Sequence, residues 1–281
     1  MNLCYIFLKP IPDFSQLSRK DEYTMIIDTD RLDDYDIIDL SHPWGHGAPL
    51  WPYFPDLKIE RFHYHAKSQV LSQQITTFMH CTTHTDAPAH VIEGMPFMDE
   101  VPLESFFGNA VCVDIPKEEW EVITPEDLEN ARPEIRPGDI VIVHTGWHRY
   151  YGDNTKYFIY SPGLYKEAGE WFVERGVKGV GVDQQALDHP LGTKIAWGPQ
   201  PICPFTLEEY EQRFDRPTSE AFPYWEPCHR ALLGNGIVGF ENVGGDIDKV
   251  VGKRFALAAF PWRWTGGDGC IVRMVAFLPK N

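Results

Sequence analysis

The feature that most constrains this chain is a cluster of ligand-type side chains between positions 80 and 90. The segment reads HCTTHTDAPAH and brings His80, His84, Asp86 and His90 within eleven residues of one another. Neutral imidazoles and carboxylates are the donors that borderline divalent cations prefer. A polar loop that is merely rich in histidine is the alternative, but the dense spacing favours a metal site. By itself the motif is one or two ligands short.

Composition limits the fold and the partners. The chain has 281 residues, of which 43% are hydrophobic, and a formal net charge of −16. That content suffices for a sizeable core, and folds of roughly 200–250 residues commonly form one domain. We expect an N-terminal extension over residues 1–34 and a single domain over residues 35–281. The negative charge argues against nucleic acid and against an anionic membrane surface as partners.

Six cysteines are scattered along the chain without a C-x-x-C pair. This usage is typical of reduced thiols, so we expect a cytoplasmic protein. Cys81 lies inside the motif and could be a ligand or a nucleophile, but a small buried thiol is the favoured interpretation. The apolar run over residues 3–8 is too short for a signal-peptide core or a membrane span.

Apolar runs and turn residues predict alternating strands and helices, an α/β pattern. We expect buried strands at 110–115, 138–147 and 237–243, a helix from Ser161 to about Arg175, and closing strands at 255–260 and 271–278. Thr124 before Pro125 predicts a helix start, and Pro227 to Gly234 reads as a short helix.

Proline punctuates residues 184–228, which hold one predicted helix near 206–214. Such a long connection is typical of a lid or an oligomer contact, or else it has no function.

A second aromatic segment precedes the motif. Trp44, Trp51, Tyr53 and Phe54 lie among prolines that forbid a regular helix. Aromatic side chains on a rigid loop often line a ligand pocket, and packing beneath the loop is the alternative. The pattern motivates a small, aromatic or planar substrate.

The motif and a later segment together resemble the cyclase/formamidase hydrolase family, which includes bacterial arylformamidases and isatin hydrolases. The family pattern H-x-G-T-H-x-D-x-P-x-H is matched from His80 to His90 except at Thr82, where glycine is usual. The downstream H-x-x-L-L-G-x-G-I-x-x-x-E pattern is met from His229 to Glu241. Trp51 and the proline after it resemble the family's substrate-facing Trp-Pro.

The resemblance implies a swivelling β/β/α-type fold with a mixed or barrel-like central sheet and one or two divalent cations, Mn²⁺ or Zn²⁺. It implies that His80, His84 and Asp86 bind one cation. In two-metal members Asp86 and Glu241 bridge, and His229 completes the second site. Family members are commonly homodimers or homotetramers.

The residues support this chemistry independently. A divalent cation lowers the pKa of bound water and polarises a carbonyl, and an uncoordinated histidine can then move protons. His90 matches the acid/base histidine of the family and is left for that role. Glu241 in an apolar strand needs a cation partner, or else a buried salt bridge to Arg or Lys. Seven further histidines are expected to be solvated or hydrogen-bonded, with His42 near the site: His42, His46, His63, His65, His144, His148 and His189.

We therefore predict a metal-dependent amidohydrolase that opens a cyclic amide or removes an N-formyl group from a small-molecule substrate. One rival uses the same metal for cyclase, lyase or lactonase chemistry. The other is a non-catalytic binding protein in which metal only stabilises the fold.

Overall fold

A mixed sheet of nine strands forms the centre of the molecule, as seen in a computed structural model that describes residues 29–152 and 155–280. Its strands, in chain order, are β1 (Tyr35–Asp39), β4 (His84–Asp86), β5 (Phe107–Asp114), β7 (Ile140–His144), β9 (Gly179–Val182), β10 (Val238–Glu241), β11 (Arg254–Ala258), β12 (Gly269–Ile271) and β13 (Val275–Pro279). Two small sheets pair β2 (Lys58–His63) with β3 (Ser72–Thr76), and β6 (Val122–Ile123) with β8 (Gly163–Leu164).

The strand order is β1-β13-β11-β5-β7-β9-β10-β4-β12. The central run β5, β7, β9 and β10 is parallel, and every other neighbouring pair is antiparallel. The carboxyl ends of the four parallel strands therefore share one edge, which is where ligands bind in open α/β sheets. The expected α/β class with a mixed central sheet is confirmed.

The described residues form the α-helices α1 (His65–Ser68), α2 (Pro125–Asn130), α3 (Thr155–Ile159), α4 (Lys166–Arg175), α5 (Phe205–Phe214), α6 (Thr218–Ala221) and α7 (Pro227–Gly234). Of these, α2, α4 and α7 pack against the central sheet. Short 3₁₀ helices occupy Thr29–Asp34, Pro88–His90, Leu103–Phe106, Trp147–Tyr150, Pro190–Gly192 and Ile247–Lys249. Among the described residues, none of these helices has the length and apolar character needed to cross a membrane.

Alternation along the central strands divides the core into two layers. Successive side chains of a strand point to opposite faces. On β7, Ile140 and Ile142 belong to an apolar cluster that also contains side chains of β11 and β13. Val141 and Val143 point to the other face and pack against α2, α4 and α7. Both faces are covered, which accounts for the continuous apolar run of this strand.

Two predicted elements differ from the structure. The helix expected from Ser161 begins only at Lys166, because Gly163 and Leu164 pair with β6 instead. The single closing strand expected at 271–278 is two strands. The strand divides because the chain changes neighbours, from β4 at Gly269–Ile271 to β1 and β11 at Val275–Pro279.

The predicted α7 helix has the predicted bounds, and Gly176 ends α4 in the left-handed conformation as expected. Thr124 caps α2 through a reciprocal pair with Asp127.

The long connection over 184–228 is largely internal. Residues 184–193 are buried, and the segment then forms α5 and α6. Its apolar side chains share an aromatic cluster with Trp120, Trp147 and Tyr157. A role for this segment as lid or oligomer contact stays a prediction. Residues 1–28 of the proposed N-terminal extension lie outside the described part of the chain.

Candidate metal centre

Strand pairing brings the two halves of the sequence pattern together. His84 and Asp86 occupy alternate positions of β4 and therefore point to the same face. β4 runs antiparallel to β10, with His84 directly opposite Glu241. The distance between His84 Nε2 and Glu241 Oε2 is 3.3 Å. The register of this one pair juxtaposes residues that are far apart in sequence.

Helix α7 supplies His229 from the other side of the cluster. Its Nδ1 donates to Asp188 Oδ2 at 2.6 Å, and the backbone amides of Cys228 and His229 also donate to the Asp188 carboxylate. This contact fixes the ring so that Nε2 faces the cluster, 2.9 Å from Glu241 Oε1. A carboxylate that accepts from the ring nitrogen facing away from the metal is the usual arrangement around a metal-binding histidine.

Glu241 is buried and its carboxylate is surrounded by histidines. Oε1 also accepts from the backbone amide of Leu187 at 2.8 Å. Burial and the nearby Asp86 raise the pKa of Glu241, but His229 and His84 outweigh them and lower it to about 2. Within the described residues no Arg or Lys forms an ion pair with Glu241, in contrast to the alternative salt bridge considered above.

His84 is oriented from within the motif. Its Nδ1 donates to the carbonyl of Thr82 at 2.9 Å, which leaves Nε2 for the cluster. Thr82 has φ +52°, the left-handed conformation that glycine adopts without penalty. The departure from the family glycine therefore places a strained β-branched residue beside a ligand.

His80 lies between two carboxylates. Its Nδ1 donates to Asp86 Oδ1 at 2.7 Å and its Nε2 donates to Asp268 Oδ2 at 3.0 Å. Burial alone would lower the pKa of His80, but Asp86 and Asp268 raise it to about 10. Gly269 makes room for the ring, because a Cβ at that position would lie 2.5 Å from His80 Cε1.

His90 follows β4 in the Pro88–His90 helix and stacks on His80, with ring centroids 4.0 Å apart. One side of the ring is exposed toward the cavity, while the surrounding protein removes most of its hydration. This desolvation lowers the pKa of His90 to about 4, and the positive charge of His80 and His229 contributes. His90 is the most exposed histidine of the motif, and it lines the cavity together with His80 and His84.

The donor set fits a divalent cation. His84 Nε2 and Asp86 Oδ2 are buried and have no hydrogen-bond partner among the described residues. Their neighbours stand at 3.3–3.5 Å with poor hydrogen-bond geometry: Glu241 Oε2 near His84, and His229 Nε2 near Asp86 Oδ2. Two ligands about 2.0–2.2 Å from a tetrahedral cation are separated by a similar distance, roughly 3.3–3.6 Å.

The same atoms form two groups that share Asp86. One comprises His80, His84 and Asp86, and the other comprises Asp86, His229 and Glu241. Burial alone would lower the pKa of His229, but Asp188, Asp86 and Glu241 raise it well above its usual value. The cluster therefore favours added positive charge.

A cavity of about 90 Å³ opens above the cluster, with walls from the aromatic segment and from the 184–228 connection. Trp51, Tyr53 and Phe54 line it. Trp44 is not part of the lining. Its Nε1 donates to the Cys81 thiol, which is buried as expected.

Sequence reasoning missed several residues that surround the site. Asp188 and Asp268 orient His229 and His80, and three polar residues line the cavity: Gln185, Glu226 and Asn242. Burial raises the pKa of Glu226 to about 7. A single acidic residue outside any motif gives no sequence pattern that marks it as functional. Asp188 could have been found only from the position of α7, because its partners Cys228 and His229 lie on that helix.

A family model described as "Putative cyclase" matches residues 38–189, more than half of the chain. The chain belongs to the cyclase family. The predicted family is thus confirmed.

Curated relatives of this cyclase-family chain include kynurenine formamidases and an isatin hydrolase. It is 30% identical to a kynurenine formamidase from Bordetella petrii over 158 residues, which covers 56% of this chain and 72% of the relative. It is 25% identical to an isatin hydrolase from Roseibium aggregatum over 213 residues, covering 72% of each protein. The predicted enzyme class, hydrolases that act on non-peptide C–N bonds, agrees with these names.

A solved structure shares the fold. The crystal structure of an isatin hydrolase bound to the product analogue thioisatinate superposes with a TM-score of 0.70 at 19% identity, covering 88% of this chain and 94% of that one.

Proposed function

We propose that this cyclase-family protein is a metal-dependent hydrolase that cleaves an amide-type C–N bond of a small aromatic substrate. The observation that carries the proposal is a pair of buried ligand atoms, His84 Nε2 and Asp86 Oδ2, that have no hydrogen-bond partner in the described part of the chain. His84 also lines the aromatic-walled cavity. Leaving such atoms unpaired costs on the order of 1–3 kcal/mol each, which a bound cation offsets.

One or two divalent cations, Mn²⁺ or Zn²⁺, would be held by His80, His84, Asp86, His229 and Glu241. When bound, such an ion supplies Lewis-acid activation of water and of the substrate carbonyl. Asp86 would be shared between two positions because its two oxygens face different histidines, Oδ1 toward His80 and Oδ2 toward His229. Histidine and carboxylate donors suit both metals.

His90 would act as the proton shuttle. It lines the cavity beside the ligands and stacks on the ring of His80. A neutral imidazole can accept a proton from the attacking water and return it to the leaving nitrogen. Stacking against His80 holds the ring in place during both transfers.

The shape of the site favours a compact, planar substrate. The cavity is smaller than the roughly 300–1,000 Å³ typical of drug-sized ligands. Trp51, Tyr53 and Phe54 offer ring faces and edges for stacking. A wider groove of about 580 Å³ shares Tyr53 and Glu226 with the cavity and leaves space for a substituent.

The test is a substrate panel of isatin, N-formylkynurenine and an aromatic lactone, assayed with metal-replete and chelated protein. We expect the cyclic or formyl amide to gain the mass of one water, and activity to be lost on chelation and regained on adding Mn²⁺ or Zn²⁺. Turnover of the lactone alone, or an elimination product without added water, would contradict C–N hydrolysis in favour of lactonase or lyase chemistry.

A homo-oligomer is the second part of the proposal. The small sheet of β2 and β3 and the segments beside it expose several large apolar side chains, at 45–72% of their surface: Phe62, Tyr64, Val70, Leu71 and Ile75. Exposed apolar groups concentrated in this way mark protein contacts. We expect a homodimer or homotetramer by light scattering. The double variant Phe62→Ser, Ile75→Ser is expected to elute as a smaller species.

A further inference from the structure

A second cluster of histidine and aspartate lies at the carboxyl ends of the parallel strands, outside the cyclase motif. His144 is the last residue of β7, and Asp114 ends the neighbouring β5 directly opposite it. His148 lies in the Trp147–Tyr150 helix, and Asp248 lies in the Ile247–Lys249 helix. Different segments of the chain thus converge on one point.

In each histidine of this cluster, Nδ1 donates a hydrogen bond to a carboxylate. His144 Nδ1 donates to Asp114 Oδ1 at 2.7 Å, and His148 Nδ1 donates to Asp183 Oδ2 at 3.1 Å. Asp183 is fully buried and also accepts from Thr145. With Nδ1 carrying the proton, Nε2 of each ring is left as a lone-pair donor.

Both Nε2 atoms face the same carboxylate at a distance too long for a hydrogen bond. His144 Nε2 lies 3.6 Å from Asp248 Oδ1, and His148 Nε2 lies 3.6 Å from Asp248 Oδ2. His144 is 4% exposed, and its Nε2 has no hydrogen-bond partner among the described residues. One donor atom from each of the three residues lies within 4.8 Å of the others.

We propose that His144, His148 and Asp248 form a second divalent-cation site that takes Zn²⁺ or a similar borderline ion. Two imidazoles and one carboxylate match its donor preference. The 3.6 Å from each Nε2 to an Asp248 oxygen is close to the roughly 3.3–3.6 Å that separates two ligands of a tetrahedral ion. Asp248 is exposed, so water completes the coordination and the ion exchanges with solvent. This inference does not depend on the proposed hydrolase activity.

The charges around the cluster support the assignment. Asp114, Asp183 and Asp248 face two histidines, and Arg149 is the nearby permanent cation, with Nη2 3.1 Å from Asp248 Oδ1. Arg149 and Asp248 are each 61% exposed, and exposed ion pairs of this kind contribute little. Arg149 can therefore release Asp248 Oδ1 to a cation at small cost.

The experiment counts Zn²⁺ per chain by calorimetric titration and by metal analysis after equilibrium dialysis against a fixed Zn²⁺ concentration, using the whole 281-residue chain. We expect Asp248→Asn and His148→Asn each to bind one Zn²⁺ fewer than the wild type. Asp114→Asn is expected to keep the site and weaken it by about 10–100-fold, because it removes only the orienting carboxylate.

Asp246→Asn is the matched control. It removes an exposed carboxylate two positions before Asp248, where Asp246 pairs with Lys249. We expect wild-type stoichiometry for it. Circular dichroism establishes that each variant is folded, and Asp248 is exposed enough for its substitution to be tolerated. Equal Zn²⁺ stoichiometry and affinity in the wild type and in folded Asp248→Asn would overturn the proposal.

Discussion

In each of the two clusters, a buried aspartate from the segment after β9 holds the Nδ1 atom of a histidine. Asp188 holds His229 in the motif cluster, and Asp183 holds His148 in the second cluster. Both aspartates also accept backbone amides, so neither can move without breaking local structure. One short stretch of chain therefore orients a histidine toward each of two separate points on the same edge of the sheet.

The clusters differ in depth. Asp86 and Glu241 are 1% and 6% exposed, whereas the Asp248 side chain is 61% exposed. Buried carboxylates lose their hydration and need compensating positive charge, while water and Arg149 can compensate Asp248. We therefore expect the same orienting contact to serve a permanent ion at the motif cluster and an exchangeable ion at the second cluster.

Asp86→Asn is the substitution with the largest expected effect. Asp86 belongs to both groups of the motif cluster, so we expect hydrolysis to fall by at least about 1,000-fold, equivalent to roughly 4 kcal/mol. The metal content should fall as well, while the Zn²⁺ of the second cluster remains. If Asp86→Asn abolishes every bound ion, the two clusters are not independent.

His90→Ala separates proton transfer from metal binding. We expect kcat to fall by about 100- to 10,000-fold with unchanged metal content, because His90 faces the cavity and is assigned no ligand role. His46→Ala, which removes an exposed histidine that does not line the cavity, is the control and should retain activity. Full activity of His90→Ala would exclude the shuttle role.

The paired substitutions Asp188→Asn and Asp183→Asn test the shared orienting contact. Each is expected to weaken Zn²⁺ binding at its own cluster by about 10–100-fold, measured by competition with a chelating dye. Each should also lower the free energy of unfolding by about 1–3 kcal/mol, since buried donors lose a charged acceptor. If Asp183→Asn weakens Zn²⁺ binding at the motif cluster as much as Asp188→Asn does, the two aspartates do not act on separate clusters.

Thr82→Gly has the smallest expected effect and concerns strain. Thr82 has a positive φ, whereas none of the residues of the second cluster does. We expect glycine to raise the free energy of unfolding by about 1 kcal/mol, because relief of strain exceeds the entropy cost of glycine. Thr82→Ala, which keeps Cβ, should show no such gain in thermal melting. A loss of stability in Thr82→Gly would mean that the threonine side chain stabilises the loop.

Much of the fold could be predicted because local rules agreed with the final structure. The α7 bounds follow from proline at its first position and glycine at its end, and β7 follows from its apolar run. The start of the helix expected from Ser161 and the single strand expected over 271–278 were wrong, because pairing with distant strands overrode the local pattern. The secondary-structure propensity of a segment does not determine which strand it will pair with.

For the site, the sequence motif predicted the candidate ligand residues but not the residues that surround and orient them. Glu241 meets His84 through the register of β4 and β10, which no spacing in the sequence encodes. His144 and His148 were interpreted as hydrogen-bonded histidines. Their Nδ1 atoms fit that interpretation, but the convergence of both Nε2 atoms on Asp248 depends on three distant segments.

The contacts of Asp188 also bear on how this chain can diversify. Asp188 stands at the start of the long connection, and its carboxylate binds the amides of Cys228 and His229 at the end of it. The connection is thus closed at its base, and lengthening its exposed turn near Gly198 costs only about 0.6 kcal/mol per doubling of that turn. Insertions or deletions within it can reshape the cavity wall near Thr193 and Glu226 without displacing His229. Selection can therefore change the substrate while the ligand geometry stays constant.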